Sequence, residues 1–205
     1  MTAVDTKEQK RGEILAAAKA AFAANGYHAT KIGQVAEQAG VSYGSIYWYF
    51  ESKDELFHAL MDDQERALRN HIEQVVGSLV LDGTIDGEAL FRRSVQATFE
   101  FFEADRDVVK LLFRDSLVLG DRFDRHLASI YEGFIADIET SISAAQSAGA
   151  VIDAPPRMVA FSVAALISQL ALRRLSTDDG LTADVLADFV VSLLLNGLRP
   201  RPEEP

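Results

Sequence analysis

Apolar residues along this chain recur at three- and four-residue steps, and no segment shows a sustained two-residue alternation. That spacing places apolar side chains on one face of an α-helix, whereas a half-buried strand would alternate. Helix-stopping residues interrupt the pattern, most clearly at Asn25-Gly26 and at Gly40. We therefore predict an all-α chain. The predicted helices cover about residues 7–24, 31–39, 43–49, 53–79, 88–104, 107–118, 121–147, 155–175 and 181–198.

Small hydroxyl residues mark the predicted starts of the second, third and fourth helices. Thr30, Ser42 and Ser52 occupy N-cap positions, where a side-chain oxygen accepts a hydrogen bond from a free amide of the first turn. Glu55 follows Ser52 by three residues, which is the spacing of a capping box. After residue 198 three prolines prevent a helix, so residues 199–205 are predicted to be a disordered tail.

The segment 30–53 is predicted to fold as two short helices joined by a tight turn at Gly40. Four aromatic residues crowd the outward positions of its second helix: Tyr43, Tyr47, Trp48 and Tyr49. A helix that enters the major groove of DNA uses rings against sugars and thymine methyls, and phenols against phosphates. The alternative is that these rings pack on the first and fourth helices. The pattern favours a helix-turn-helix that binds DNA.

The same segment resembles the signature of the TetR family of transcriptional regulators. The resemblance covers about residues 10–60 and rests on Gly26-Tyr27, Thr30, Val35-Ala36, Ala39-Gly40-Val41-Ser42, Gly44-Ser45-Ile46-Tyr47-Trp48-Tyr49-Phe50 and Ser52-Lys53-Asp54-Glu55-Leu56. It implies a nine-helix subunit, with an N-terminal three-helix DNA-binding domain and a larger helical domain for ligand binding and dimerisation. It also implies a homodimer that binds a palindromic operator as a repressor and leaves it when a hydrophobic small molecule binds.

The resemblance assigns DNA contacts position by position. The positions that match are Thr30, Lys31, Ser42, Tyr43, Gly44, Ser45, Tyr47, Trp48, Tyr49 and Lys53. One position departs from the family, because Gly33 stands where an arginine often contacts a base. We place the domain boundary inside the start of the fourth helix, giving a DNA-binding domain over 1–55 and a ligand-binding and dimerisation domain over 56–198.

Charge is distributed unevenly along the 205 residues, whose net charge is −11. Residues 1–53 contain six Lys and Arg against five Asp and Glu, whereas the remainder contains 14 against 26. The acidic part is expected to repel DNA, and the N-terminal part stays available to bind it. The chain lacks cysteine, its first residues are polar, and its apolar stretch Met158–Leu172 falls short of a bilayer span. These features predict a cytoplasmic protein with no membrane partner.

The last two predicted helices are apolar over more than one face. A helix with one buried face needs an apolar stripe only about 100° wide, so the excess predicts a partner surface. The candidate dimer-interface residues are Phe161, Leu166, Leu170, Phe189, Leu193 and Leu194. The alternative is that both helices are internal to a monomer.

The middle of the chain is rich in phenylalanine. We predict a hydrophobic ligand cavity there, although each ring is also a candidate for ordinary core. The candidate ligand-binding residues are Phe99, Phe102, Phe113, Phe123, Tyr131, Phe134 and Gln169. A long-chain acyl-CoA fits on chemical grounds, because acyl chains suit aromatic walls and arginines suit phosphates.

Sequence features of an enzyme are weak. The four histidines are His28, His58, His71 and His126, and none lies in a His-Glu-x-x-His arrangement. The chain has neither a Gly-x-Ser-x-Gly elbow nor a Walker loop. We therefore predict a regulator without catalytic residues, cofactor or metal. Two alternatives remain within the same fold, an activator and a regulator that responds to no ligand.

Overall fold

The computed structural model describes residues 3–80, 87–114, 121–151, 153–177 and 180–198. The regular elements in these ranges are helical, which confirms the all-α prediction. They are α1 (Ala3–Asn25), α2 (Ile32–Gln38), α3 (Tyr43–Tyr49), α4 (Lys53–Val80), α5 (Gly87–Ala104), α6 (Arg106–Val109), α7 (Asp121–Ser147), α8 (Pro156–Ser176) and α9 (Ala183–Leu198).

Two of the predicted helices differ from the observed ones. The first begins at Ala3 rather than near residue 7. The helix predicted over 107–118 is α6, only four residues long, followed by a π-helical turn over Lys110–Arg114. An apolar pattern cannot distinguish these because a π-turn changes the backbone hydrogen bonding and not the residue types. The rest of that prediction and the tail at 199–205 lie outside the described residues.

The chain forms two compact units. The first contains Met1–Arg66 and Arg106–Leu127, and the second contains Ala67–Asp105 and Ala128–Pro205. Helix α4 therefore contributes its first half to one unit and its second half to the other. The boundary proposed from the sequence, near residue 55, and this division both fall within α4.

The first unit is built around a core from α1, α2, α3, the start of α4 and α6. Phe22 of α1 meets Phe57 of α4 edge-on, with ring centroids 5.5 Å apart. The turn between α2 and α3 is closed by backbone bonds from Gly40 to Glu37 and from Val41 to Ala36. Gly40 has a φ of +64°, the left-handed conformation that ends a helix in this way. The buried residues include Ile14, Ala18, Val35, Ala36, Ile46, Phe50, Leu56, Leu60, Met61 and Val108.

The second unit packs α5 against both α8 and α9. Polar residues reinforce the contact with α9, because the guanidinium of Arg92 binds two carboxylates one turn apart. Its Nη2 lies 2.8 Å from Asp184 Oδ1, and its Nε lies 2.5 Å from Asp188 Oδ1. Helices α7 and α8 meet through a small buried cluster of Ile135, Ala160 and Ala164.

Helix α8 is longer than the apolar stretch at its centre. Among the described residues it is the helix long and apolar enough to cross a membrane, over the 20 residues Pro156–Leu175. The sequence placed the apolar stretch Met158–Leu172 below that length. The difference arises because α8 continues regularly through Arg157 at one end and Arg173 and Arg174 at the other. Only 22% of the stretch is buried within the chain.

Candidate DNA-binding site

Helix α3 is held by its buried side and leaves its aromatic side exposed. Ser42 caps it as predicted, since Ser42 Oγ accepts a hydrogen bond from the amide of Ser45 at 3.1 Å. Ile46 and Phe50 are buried in the first unit. The opposite side exposes 58% of Tyr43, 43% of Tyr47 and 65% of Trp48. These exposures contradict the alternative in which the rings of Tyr43, Tyr47 and Trp48 are covered by the first and fourth helices, whereas Tyr49 is half-buried.

The hydroxyl groups at the start of α3 are paired with one another. Tyr43 Oη and Tyr47 Oη lie 3.3 Å apart, and their rings lie 5.3 Å apart between centroids. This bond with Tyr43 is the main reason that the pKa of Tyr47 is raised above its ordinary value. Ser42 Oγ and Ser45 Oγ are similarly 2.7 Å apart. The exposed side of α3 is therefore uncharged and mostly aromatic.

Helix α1 brings a cation to this surface. The ammonium of Lys7 lies 4.7 Å from the centre of the Trp48 ring, a cation–π distance. Trp48 also meets Tyr49 edge-on, with centroids 4.8 Å apart. Lys7 thus brings a positive charge from α1 to the Trp48 side of α3.

Lys53, at the start of α4, holds the loop between α1 and α2. Its ammonium donates to the carbonyl oxygens of Thr30 at 2.7 Å and of His28 at 3.3 Å. It also lies 4.3 Å above the ring of Tyr27. Partial burial lowers the pKa of Lys53 below its ordinary value. An ammonium has three N–H groups, so Lys53 can keep both bonds and still contact a phosphate.

Thr30 differs from its predicted role. It is 2% exposed, and its hydroxyl donates to the carbonyl oxygens of Ala21 at 3.1 Å and Gly26 at 2.8 Å. The N-cap of α2 is instead Lys31, whose amide donates to Gln34 Oε1 at 2.8 Å. Thr30 therefore does not cap α2, and its buried hydroxyl is not placed to meet a phosphate. It ties the loop to the end of α1.

Sequence reasoning assigned no role to a partly buried pair, Tyr27 and Asp54, that fixes the same loop. The hydroxyl of Tyr27 donates to the carboxylate of Asp54, and its ring packs between Phe22 and Phe57. Burial, and then the bond to Asp54, raises the pKa of Tyr27 well above its ordinary range. Both residues belong to the motif that carried the resemblance. Their pairing across 27 positions has no sequence signal of its own.

One of the two hydrogen bonds of the capping box predicted for α4 is confirmed. Ser52 Oγ accepts from the amide of Glu55 at 3.0 Å, as predicted. The Glu55 carboxylate reaches back to the amide of Glu51, whereas a capping box would place it on Ser52. The start of α4 is thus fixed next to Lys53 and Asp54.

The candidate ligand residues of the second unit are placed in different surroundings. Phe99 and Phe102 are buried, and Tyr131 packs against the cluster of Ile135, Ala160 and Ala164. Phe134 lies under the guanidinium of Arg69, 4.4 Å from its ring centre. Gln169 was expected to line a ligand cavity. It is exposed on α8 and therefore does not line the buried part of this unit. The side chains of Phe113 and Phe123 lie outside the described residues.

The candidate dimer-interface residues form exposed apolar surfaces on α8 and α9. Phe161 is 51% exposed, Phe189 53% and Leu193 52%. Leu166, Leu170 and Leu194 are half-buried. Met158 and Val185, which sequence reasoning did not select, extend the same surfaces with exposures of 63% and 46%. Neither helix is therefore fully internal to the described part of the chain.

Comparison with known proteins gives matches over both parts of the chain. Residues 14–60 match the family described as bacterial regulatory proteins, tetR family. The HTH-type transcriptional activator FasR of Mycolicibacterium smegmatis is 33% identical over 114 residues, 55% of this chain and 49% of that protein. The HTH-type transcriptional repressor KstR2 of Rhodococcus jostii is 26% identical over 199 residues, 94% of this chain and 92% of that protein.

Solved structures extend the likeness to the whole fold. The transcriptional regulator FadR from Bacillus subtilis, solved in complex with stearoyl-CoA, superposes with a TM-score of 0.78 and 19% identity. The superposition covers 90% of this chain and 97% of FadR. At that identity the likeness concerns the fold alone. The matches to the first two curated relatives span only about half of those proteins, 49% and 53%.

The family match begins in α1 and ends in α4, so it includes every element that positions α3. The relatives described above are named as transcriptional regulators, and the fold of the FadR structures is shared along most of the chain. The helix-turn-helix segment of this chain, residues 14–60, matches the tetR family of bacterial regulatory proteins.

Proposed function

We propose that this chain is a transcriptional repressor that binds a palindromic operator as a homodimer and releases it when a hydrophobic small molecule binds. One observation carries the proposal: the second helix of the helix-turn-helix exposes three large aromatic side chains, at Tyr43, Tyr47 and Trp48. Exposed rings of this size are unusual on a surface without a partner. The remaining DNA contacts we propose are Lys31, Ser42, Gly44, Ser45, Tyr49 and Lys53. A protein with this role acts in the cytoplasm, where the chromosome lies.

Self-association is supported by the apolar surfaces of α8 and α9. Val185, Phe189 and Leu193 are spaced by four residues along α9 and form one exposed stripe. Met158 and Phe161 form the corresponding surface on α8. Two-fold packing of these helices would cover both surfaces with copies of themselves. The same two-fold axis explains why a palindromic operator is expected.

The proposed effector is a long-chain acyl-CoA, bound in the second unit. The support is chemical and comparative: Phe99 and Phe102 supply buried aromatic surface, and the similar fold of FadR was solved with stearoyl-CoA. Arg69, half-exposed beside Phe134 and ion-paired with Asp137, carries a guanidinium, the group that binds phosphate in many proteins. Phe113, Phe123, Tyr131 and Phe134 remain candidate wall residues.

Helix α4 provides the connection that release requires. Its residues Lys53–Arg66 belong to the first unit and residues from Ala67 onward belong to the second. A ligand that displaces the second half of α4 therefore acts on the helix that anchors the loop before α2 through Lys53. Effector and operator binding are then reciprocally coupled, typically by about 1–3 kcal/mol.

The test begins with selection of a binding site from random duplex DNA, followed by fluorescence anisotropy on the selected operator. Stearoyl-CoA should weaken operator binding at least about fivefold, the lower end of ordinary coupling. Stearate and free CoA are the matched controls for the two halves of the ligand. If stearoyl-CoA binds the free and the DNA-bound protein equally well, it is not the effector. If no sequence is enriched, the regulator proposal itself fails.

An activator is the second candidate, since FasR carries that name whereas KstR2 is named a repressor. In vitro transcription from a promoter that contains the selected operator distinguishes them. Less transcript on adding protein supports repression, and more transcript supports activation. A regulator that responds to no ligand would bind the operator equally in the presence of every acyl-CoA tested.

A further inference from the structure

Helix α3 lacks the side chains that read guanine or adenine by paired hydrogen bonds. Its sequence, Tyr43–Tyr49, contains no Arg, Lys, Asn, Gln, Asp or Glu. Arg and Lys are the usual partners of guanine in the major groove, and Asn and Gln are those of adenine. The positively charged groups described near α3 lie on its neighbours, as Lys7 on α1 does. Direct reading of bases by α3 must therefore use another chemistry.

The hydroxyl groups of α3 and its cap offer little hydrogen bonding beyond their own pairs. One phenol of the pair Tyr43–Tyr47 donates to the other, and one hydroxyl of the pair Ser42–Ser45 does the same. Each pair therefore presents one O–H hydrogen outward where two separate hydroxyls would present two. The larger part of the exposed surface is aromatic carbon. Thymine is the base that presents carbon to the major groove, through its C5-methyl group.

Gly44 supports a close approach between α3 and a partner. Its φ is not positive, and a Cβ built there would meet only Ser42 Oγ, at 4.0 Å. Neither backbone conformation nor packing within the chain therefore requires glycine at this position. Glycine is also a weaker helix former than alanine. Gly33, on α2, resembles Gly44 in this respect. It is exposed, and nothing lies within 4 Å of a Cβ built there.

We infer that α3 selects a thymine-rich half-site, with the rings of Tyr43 and Tyr47 against C5-methyl groups and the backbone at Gly44 close to the groove. This inference rests on the proposed DNA-binding function and specifies the class of operator. It assigns Gly44 a contact that its lack of a side chain makes possible. Trp48 and Lys7, on the adjacent part of the surface, then face the flanking sugar–phosphate backbone.

The decisive experiment uses the full-length protein and the operator selected from random DNA. Each thymine of the half-site is replaced in turn by deoxyuridine, which removes only the C5-methyl group. Covering one methyl group changes affinity by about fourfold, so at least one replacement per half-site should weaken binding by that factor. In the Tyr43→Ala variant the same replacement should have almost no effect. Tyr43→Phe, which keeps the ring, should retain the discrimination.

Gly44→Ala provides an independent test that a folding defect cannot imitate. The melting temperature should stay equal or rise, because alanine is the better helix former, while operator affinity falls by about tenfold or more. Gly77→Ala is the matched control: Gly77 is an exposed glycine within α4, in the second unit, with nothing within 4 Å of a built Cβ. It should leave operator affinity unchanged.

Three results would overturn the inference while leaving the regulator proposal intact. They are a selected site that tolerates every deoxyuridine, a Tyr43→Ala variant that discriminates like the wild type, and a Gly44→Ala variant that binds normally. A failure to enrich any sequence would instead contradict the proposed function.

Discussion

Removal of a single ring from α9 should dissociate the proposed dimer. A fully covered phenylalanine side chain buries about 200 Å² of surface, so the 53% of Phe189 that the protomer leaves exposed is about 100 Å². At about 25 cal/mol per Å², covering it contributes about 2.5 kcal/mol per copy. A two-fold interface contains the residue twice, and Phe189→Ala should therefore cost up to about 5 kcal/mol per dimer.

That upper figure corresponds to about three and a half decades in the dissociation constant of the dimer. Sedimentation velocity over a dilution series from micromolar to nanomolar protein measures it directly. Circular dichroism of the same samples shows whether the variant keeps its helices. The expected result is a folded Phe189→Ala protomer at concentrations where the wild type is dimeric.

Tyr43→Ala is the matched control, because it removes a ring of similar size that is 58% exposed on α3. It should leave the dimer unchanged and weaken operator binding. A wild-type protein that is monomeric at micromolar concentration would refute the dimer. Equal dissociation by both variants would show that the effect comes from loss of an exposed ring and not from its position on α9.

Three further predictions concern electrostatic features of the two units. The pKa of Tyr27 is raised in the folded state, so its contribution to stability is complete below about pH 10 and is lost as the pH rises further. In urea unfolding, the free energy of unfolding of Tyr27→Phe should therefore fall less steeply with alkaline pH than that of the wild type. Lys53→Ala should flatten the slope of log affinity for DNA against log salt by about 0.9 if Lys53 neutralises one phosphate, and an unchanged slope would assign it to the loop alone. Arg92 lowers the pKa of Asp188, so this carboxylate stabilises the fold above its ordinary pKa of 3.8 and loses that effect as the pH falls; Arg92→Met should reduce the loss of stability in acid, and an unaltered acid transition would contradict the reasoning.

The helix-turn-helix was predictable because its determinants are local. Ser42 and Ser52 cap helices through amides three residues away, and Gly40 ends α2 by a conformation that other residues adopt poorly. Such interactions depend on short stretches of chain, which a sequence presents directly. The outward position of Tyr43 and Trp48 follows from the same helical period.

The residues that sequence reasoning misassigned depend on distant partners. The hydroxyl of Thr30 could bond to an amide ahead of it or to carbonyl oxygens behind it. The choice is made by the last turns of α1, where the carbonyl oxygen of Ala21 lies within hydrogen-bonding distance of Thr30. Gln169 lies on α8, a helix whose buried and exposed sides are both apolar. Composition alone therefore did not show that Gln169 is on the exposed side. The bond between Tyr27 and Asp54 requires α4 to be docked already.

The carboxylates that Arg92 binds lie beside the exposed stripe of α9, since Asp184 and Asp188 immediately precede Val185 and Phe189. Two copies that meet through this stripe bring together bodies of net charge −11 each. Their mutual repulsion is screened within about 8 Å at physiological ionic strength, so added salt should strengthen pairing of the subunits. Added salt weakens attachment to phosphates. Ionic strength thus acts on the two associations with opposite sign, and operator occupancy at low protein concentration should be greatest at an intermediate salt concentration.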